Sequence, residues 1–351
     1  MNVSVSHVQA NSTTIRLSRE LYLASYAGVG ITSLACILNI AILIVFWRGP
    51  RRLINSFSIH VINMTVINLL YAAINDPIAL TNLLRREAYY GDKYFCGVYN
   101  FFQWTTQIMA GNQQLIICID RWLALAVPTW YRTKTVAFGL WATMVSLIYT
   151  LAWYLPLFVT DAIYTTESVR VYPMRHCTYT KTLLAYQLVA RFALMYIPRA
   201  LVAALTPVLL YKVWKRRRMV SVRTIDTTSS SDGPFKAGPG VVRLAPLAGR
   251  RPQRPHQSVS EPERQFQSEL GLVLWLVGMQ IICWISTTVP AVLLQLYSGV
   301  VIQEYLDSYN FALVLNMLLL IAEPIAYVLL LKDLNLEIRS YFRCLCPPLI
   351  S

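Results

Sequence analysis

Long apolar blocks separated by short polar connections constrain this chain more than any other feature. Seven of them fall at roughly 21–47, 56–80, 97–119, 136–160, 183–211, 270–298 and 308–331, and each meets the ~20 predominantly apolar residues that a helix needs to cross a bilayer core. Four contain no Asp, Glu, Lys or Arg. The third is uncharged but studded with amides at Asn100, Gln103, Gln107, Asn112, Gln113 and Gln114, so it is expected inside the bundle, away from lipid. Composition agrees: 56% of the 351 residues are hydrophobic and 14% charged, against about 25% charged in a typical soluble domain. A soluble globule of this length would lack a solvated skin, and disorder throughout is excluded by the same figures.

The expected fold is therefore all-α: an external tail over 1–20, a seven-helix membrane domain over 21–331, and a short amphipathic cytoplasmic helix and tail over 332–351. The segment 212–269, with its TTSSSDGP and GRRPQRPHQ runs, reads as a long, mostly disordered third cytoplasmic loop. Orientation follows from charge. The odd-numbered connections and the C-terminus hold 21 Lys and Arg against 8 Asp and Glu; the N-terminus and even-numbered connections, with Asp76 and Asp161, hold 8 against 8. Basic residues mark the cytoplasmic side, which puts the N-terminus outside. The net charge of +14 is thus a topology signal, and no nucleic-acid partner is expected. Residues 1–20 lack the apolar core of a cleavable signal peptide, so the first block is expected to act as its own insertion signal.

Asn2 and Asn11 open Asn-X-Ser/Thr sequons in the external tail and are glycosylation candidates. Of the seven Cys, Cys96 and Cys177 fall on the oxidising side and form a candidate disulfide. Cys36, Cys118 and Cys283 lie in apolar blocks as small side chains. Cys344 and Cys346 follow the amphipathic stretch 332–343 and are candidates for acylation, with free thiols as the alternative.

At the inner end of the third block stands DRWLALAVPTWYR, 120–132, with Cys96 25 residues before Arg121. The sixth block contains Cys283-Trp284, the seventh ends EPIAY at 323–327, the second carries NMTVINLL at 63–70, the first holds Asn39 and the fifth Pro198. In order and spacing these resemble the DRYxAVxxPxxYR, CWxP, NPxxY and NLAxADLL elements of the rhodopsin-like G-protein-coupled receptors, over about 21–345 and most like the peptide-receptor branch. The resemblance implies a plasma-membrane receptor that binds an extracellular ligand and activates a heterotrimeric G protein, with arrestin and membrane lipid as further partners, no cofactor and no metal. It also implies switch roles for Asp120, Arg121, Trp122, Pro128 and Tyr327, in which the acid holds the Arg until the Arg is freed to meet the G protein.

A carboxylate in mid-span costs about 2.5–3.5 kcal/mol on insertion scales, which makes Glu323 informative. The family keeps its buried acid in span two, where Asn68 stands, and an Asn in span seven, where Glu323 stands. The exchange implies a buried polar network of Asn39, Asn68 and Glu323, with a Glu323–Asn68 hydrogen bond. Trp122 replaces a Tyr, Ser286 a Pro and Thr206 a Tyr. Phe266 stands where many members carry an acid opposite Arg121, leaving Glu269 close by; the expectation is a weaker inactive lock and raised basal activity.

For the ligand, Gln103 occupies the position of the amine receptors' Asp, and an amide cannot pair an ammonium. Met317 stands where opsins attach retinal to Lys. Gln103 and Gln107 lie one turn apart on one helix face and suit peptide-like hydrogen bonding. Arg191 is a candidate for a ligand carboxylate or a snorkelling cation, and Trp284 for the pocket floor. A neuropeptide-type ligand is expected. Arg199, beside Pro198, is expected to satisfy a structural partner. A transporter would show repeats or broken spans, and a hydrolase would need metal ligands or a nucleophile–base pair. Of four His only His60 lies in an apolar block, so enzyme activity is not expected; a scaffold that does not couple to G protein is the remaining alternative.

Overall fold

The structure, a computed structural model, describes residues 19–50, 53–84, 93–164, 184–229, 269–279, 281–282, 285 and 311–345. Among these residues the regular structure is helical throughout, with no strand. Helix α1 spans Arg19–Arg48. Helix α2, Ser56–Leu70, passes through one wide turn, Tyr71–Asn75, into α3, Asp76–Leu84. Then come α4, Lys93–Ala126, the short α5, Pro128–Thr133, and α6, Val136–Tyr164. Helix α7, Leu184–Arg191, continues through a second wide turn, Phe192–Tyr196, into α8, Ile197–Ser229. Helix α9 covers Glu269–Met279, α10 Leu319–Leu330 and α11 Lys332–Leu345.

Both wide turns have the same sequence cause. Each ends two residues before a proline, Pro77 or Pro198, whose ring removes a backbone donor and crowds the carbonyl four residues earlier. The chain responds with a π-type bond: the Asp76 N–H donates to the Tyr71 carbonyl, and the Ile197 N–H to the Phe192 carbonyl. The helix axis continues and the side chains after each turn are rotated relative to those before it. The start of α2 is set locally as well. Asn55 Oδ1 accepts from the Phe57 and Ser58 amides at 2.9 and 2.8 Å, and the Asn55 amide donates to Ser58 Oγ at 2.7 Å, a reciprocal cap.

Among the described residues five helices are long and apolar enough to cross a membrane: Tyr22–Arg48, Ser56–Thr81, Val136–Thr160, Ala185–Lys215 and Phe311–Leu330. Helix α4 is longer still, at 34 residues, and its amides face protein. Asn100, Asn112, Gln113 and Gln114 are all buried, because α4 packs against α2, α6 and α8 at once. The opposite pattern appears on α6, where Trp141, Val145 and Ile148 form an exposed stripe at helical spacing. An apolar stripe of this kind suits a lipid solvent, in which helices associate through packing and internal hydrogen bonds rather than through the hydrophobic effect.

The largest apolar cluster joins α1, α2, α4, α8, α9 and α10 through Ile42, Phe57, Met64, Ile117, Val202, Leu272 and Tyr327, among others. One boundary differs from the sequence reading. Helix α8 runs to Ser229, well into the segment read as loop from 212. The reason is local: after Pro207 the chain meets no Pro or Gly until Gly233, and the intervening Lys, Arg, Met and Leu residues are good helix formers.

Candidate functional site

The end of α4 carries Asp120 and Arg121, 2% and 1% exposed. The helix stops at Ala126, Val127 leaves helical geometry, and Pro128 opens α5 at its first turn, where a missing N–H is harmless. That reversal folds α5 back so that Tyr131 and Lys134 reach Asp120. Arg121 donates from Nε and Nη2 to Asp120 Oδ2 at 3.1 and 2.5 Å, and also to Tyr131 Oη. Tyr131 donates to the same Asp120 oxygen at 2.8 Å, and Lys134 Nζ bonds Asp120 Oδ1. From the other side Arg121 Nη1 pairs with Glu269, the first residue of α9. The guanidinium carbon also lies 4.1 Å from the centre of the Phe57 ring, a cation–π contact that α2 provides.

Behind Asp120 a second polar chain runs into α2 and α6. His60 Nε2 lies 3.7 Å from Asp120 Oδ1, an electrostatic contact rather than a hydrogen bond. Its Nδ1 meets Gln113 Nε2 at 3.1 Å, Thr143 donates to Gln113 Oε1 at 3.2 Å, and Asn63 donates to Thr143 at 2.7 Å.

Burial alone would raise the Asp120 carboxyl, but the His60 contact, the Arg121 charge and Lys134 together hold it well below the ordinary carboxylate range. Burial works against the Arg121 charge too, and Glu269 and Asp120 more than offset it, so its pKa is raised. The sign for stability follows. With its folded pKa depressed, ionised Asp120 contributes stability that is complete above the unfolded value of about 3.9 and is lost as pH falls below it. Asp120→Asn is therefore expected to flatten the acid limb of a stability-versus-pH curve below about pH 4, read by thermal denaturation of the detergent-solubilised chain.

Glu269, the acid expected close to Arg121, makes the cross-helix pair with it. Sequence reasoning missed Lys134 as an Asp120 partner because nothing in the local pattern shows that α5 turns back. Pro128 was the available signal. Trp122 takes the Lys212 ammonium 4.7 Å above its ring.

The structure brings Asn68 and Glu323 together, with Asn68 Nδ2 donating to Glu323 Oε2 at 2.5 Å and both residues buried. Tyr327 donates to the same oxygen at 3.3 Å, so it sits in this cluster rather than beside Arg121. Asn39 does not join the pair; its Nδ2 donates to the Ala35 and Leu320 carbonyls at 2.8 and 3.1 Å, tying α1 to α10.

Toward the other end of the bundle, Gln103 and Gln107 are half-buried. The Arg191 guanidinium carbon lies 4.5 Å from the Trp104 ring centre. Arg199 is half-buried, and its Nε and Nη1 are sealed from solvent without a hydrogen-bond acceptor among the described residues. Asn2, Asn11, Cys177, Trp284 and Cys346 lie outside the described residues; Cys96 and Cys344 fall within α4 and α11. Among the described residues no group of three or more His, Cys, Asp or Glu could hold a metal.

A bundle of long apolar helices, with a buried arginine held between acids at the end of a central, amide-rich helix, defines a class, the polytopic helical membrane proteins. Comparison with known families matches residues 38–327 to the 7 transmembrane receptor (rhodopsin family), and the chain belongs to that family. Its members are signalling receptors rather than enzymes. No curated protein matches the chain.

Proposed function

We propose that the chain is a plasma-membrane receptor that crosses the bilayer seven times, N-terminus outside, and couples an extracellular peptide ligand to a heterotrimeric G protein. In this reading α4 is the third span and α9 the inner part of the sixth. The observation that carries coupling is the Arg121 cluster. A guanidinium 1% exposed and shared between Asp120 on its own helix and Glu269 on α9 has two discrete arrangements, closed on Glu269 or released. A partner that binds only the released state shifts that equilibrium. Arrestin, which would read the same released state, and the lipid around the bundle complete the partners.

The peptide assignment rests on Gln103 and Gln107, whose side-chain amides make no hydrogen bond to the rest of the chain among the described residues, and on Arg191. A Cys96–Cys177 disulfide, a Trp284 floor, glycans on Asn2 and Asn11 and acyl chains on Cys344 and Cys346 belong to the same reading. Helix α11 supports a surface-lying segment, because Leu334, Ile338 and Tyr341 turn one face to the core while Lys332, Asp333 and Arg339 are exposed.

Ligand-free nucleotide exchange on a panel of G proteins tests coupling. Wild type is expected to accelerate exchange on at least one of them, and Arg121→Glu to abolish it at equal surface expression. No exchange on any member, with or without candidate peptides, would favour a scaffold over a coupled receptor.

A further inference from the structure

Two guanidinium nitrogens of Arg199 lie without a partner among the described residues, in a stretch of the bundle that the Arg121 and Glu323 clusters do not use. Its Nε and Nη1 are buried without an acceptor. Among the described residues the ionisable groups it feels are the phenols of Tyr196 and Tyr71. A charged group so placed is several kcal/mol out of balance unless something anionic reaches it.

What faces it can be read from the register of α4 against the α7–α8 helix, which run parallel. Arg191 stacks on Trp104, the Cys118 thiol lies against the Thr206 hydroxyl, and Lys212 stacks on Trp122. These three pairs hold nearly the same offset in sequence, so Arg199 is level with Gly111. Arg199, Val202 and Thr206 share one face of α8, as Gly111, Gln114 and Cys118 share one face of α4; Val202 and Cys118 belong to one packed cluster.

Gly111 is buried, yet a Cβ built on it would meet no atom of the described structure within 4 Å. The glycine leaves open space where every other residue type would fill it. One turn along the same face, Gln114 is buried and its Nε2 has no acceptor. The arrangement is thus a space at the level of a cation with two buried nitrogens, flanked by a second buried donor, with no acceptor for them among the described residues.

We propose that Arg199 and Gln114, across the space left by Gly111, form an internal binding site for a small monoanion, either a halide or a carboxylate head group. Charge-assisted bonds from the guanidinium would neutralise the anion, and the Gln114 amide would orient it. The site lies on the α4–α8 contact, so an occupied site ties those two helices together. The proposal concerns binding alone and is tested without reference to G-protein coupling.

The experiment measures thermal denaturation of the full-length chain in lipid nanodiscs, with chloride, formate or gluconate as the sodium salt at constant ionic strength. Chloride or formate well above its dissociation constant is expected to raise Tm by about 5 °C over gluconate. Arg199→Met is expected to abolish the difference and, in gluconate, to melt at or above the wild-type temperature, because the unpaired charge is gone. Gly111→Val keeps Arg199 but fills the space, and is expected to lose the anion response even if Arg199→Met expresses poorly. Broadening of the chloride-35 NMR line by wild type, lost in Gly111→Val, gives a second readout. A response to chloride assigns a resident halide; a response to formate alone assigns the carboxylate of an organic ligand. Equal Tm in all three salts, or an undiminished response in both variants, would overturn the site.

Discussion

Glu269→Ala is expected to raise ligand-free nucleotide exchange by about tenfold over wild type. Glu269 supplies the ion pair that joins Arg121 on α4 to α9. Removing one member of a buried pair destabilises the state that contains it by about 3–5 kcal/mol. Here part of that is recovered, because Arg121 keeps its bonds to Asp120 and Tyr131. A residual shift of about 1.4 kcal/mol toward the released arrangement corresponds to the tenfold change. Glu269→Asp, which retains the charge on a shorter stem, is expected to fall between the two. Wild type, which keeps the pair, is expected to show the lower ligand-free exchange of the two. Exchange in Glu269→Ala no faster than wild type, at matched expression, would mean that the α4–α9 pair does not hold the closed state.

At the Glu323 cluster, Glu323→Leu is expected to lower the stability of the solubilised chain by about 2–4 kcal/mol, since it leaves two buried donors, from Asn68 and Tyr327, without an acceptor at about 1–3 kcal/mol each. Glu323→Gln retains an acceptor oxygen for both and is expected to lose less than half as much. The double change Asn68→Asp with Glu323→Asn transposes acceptor and donor across the same contact, which spans 2.5 Å here. It is expected to recover most of what Asn68→Asp alone loses, a coupling that a double-mutant cycle by thermal denaturation measures directly. Additive effects would show that the two residues are merely neighbours.

Much of this was legible before any coordinates. Where they are described, the apolar blocks appear as helices because in hydrocarbon a chain must satisfy its own backbone hydrogen bonds, a constraint that acts segment by segment and leaves its mark in local sequence. The amides of the third block announce a helix surrounded by protein. The exchange of Asn and acid between 68 and 323 pointed to a pairing, because one acidic side chain in mid-span needs one donor. Pro77 and Pro198 were visible as prolines, but the π-type bonds that absorb them depend on how much room the neighbouring helices leave.

The sequence by itself therefore determined the class of the protein and singled out Asp120 and Arg121, since both rest on the local chemistry of apolar runs and short motifs. The tertiary structure alone decided which groups meet. Glu269 and Lys134 lie 148 and 13 residues from Arg121 along the chain, yet they complete the cluster around it and Asp120. Asn39 bonds backbone rather than Glu323, and two guanidinium nitrogens of Arg199 are left without an acceptor among the described residues. Pairings of this kind depend on helix register and rotation, which packing among several helices sets together and no single segment encodes.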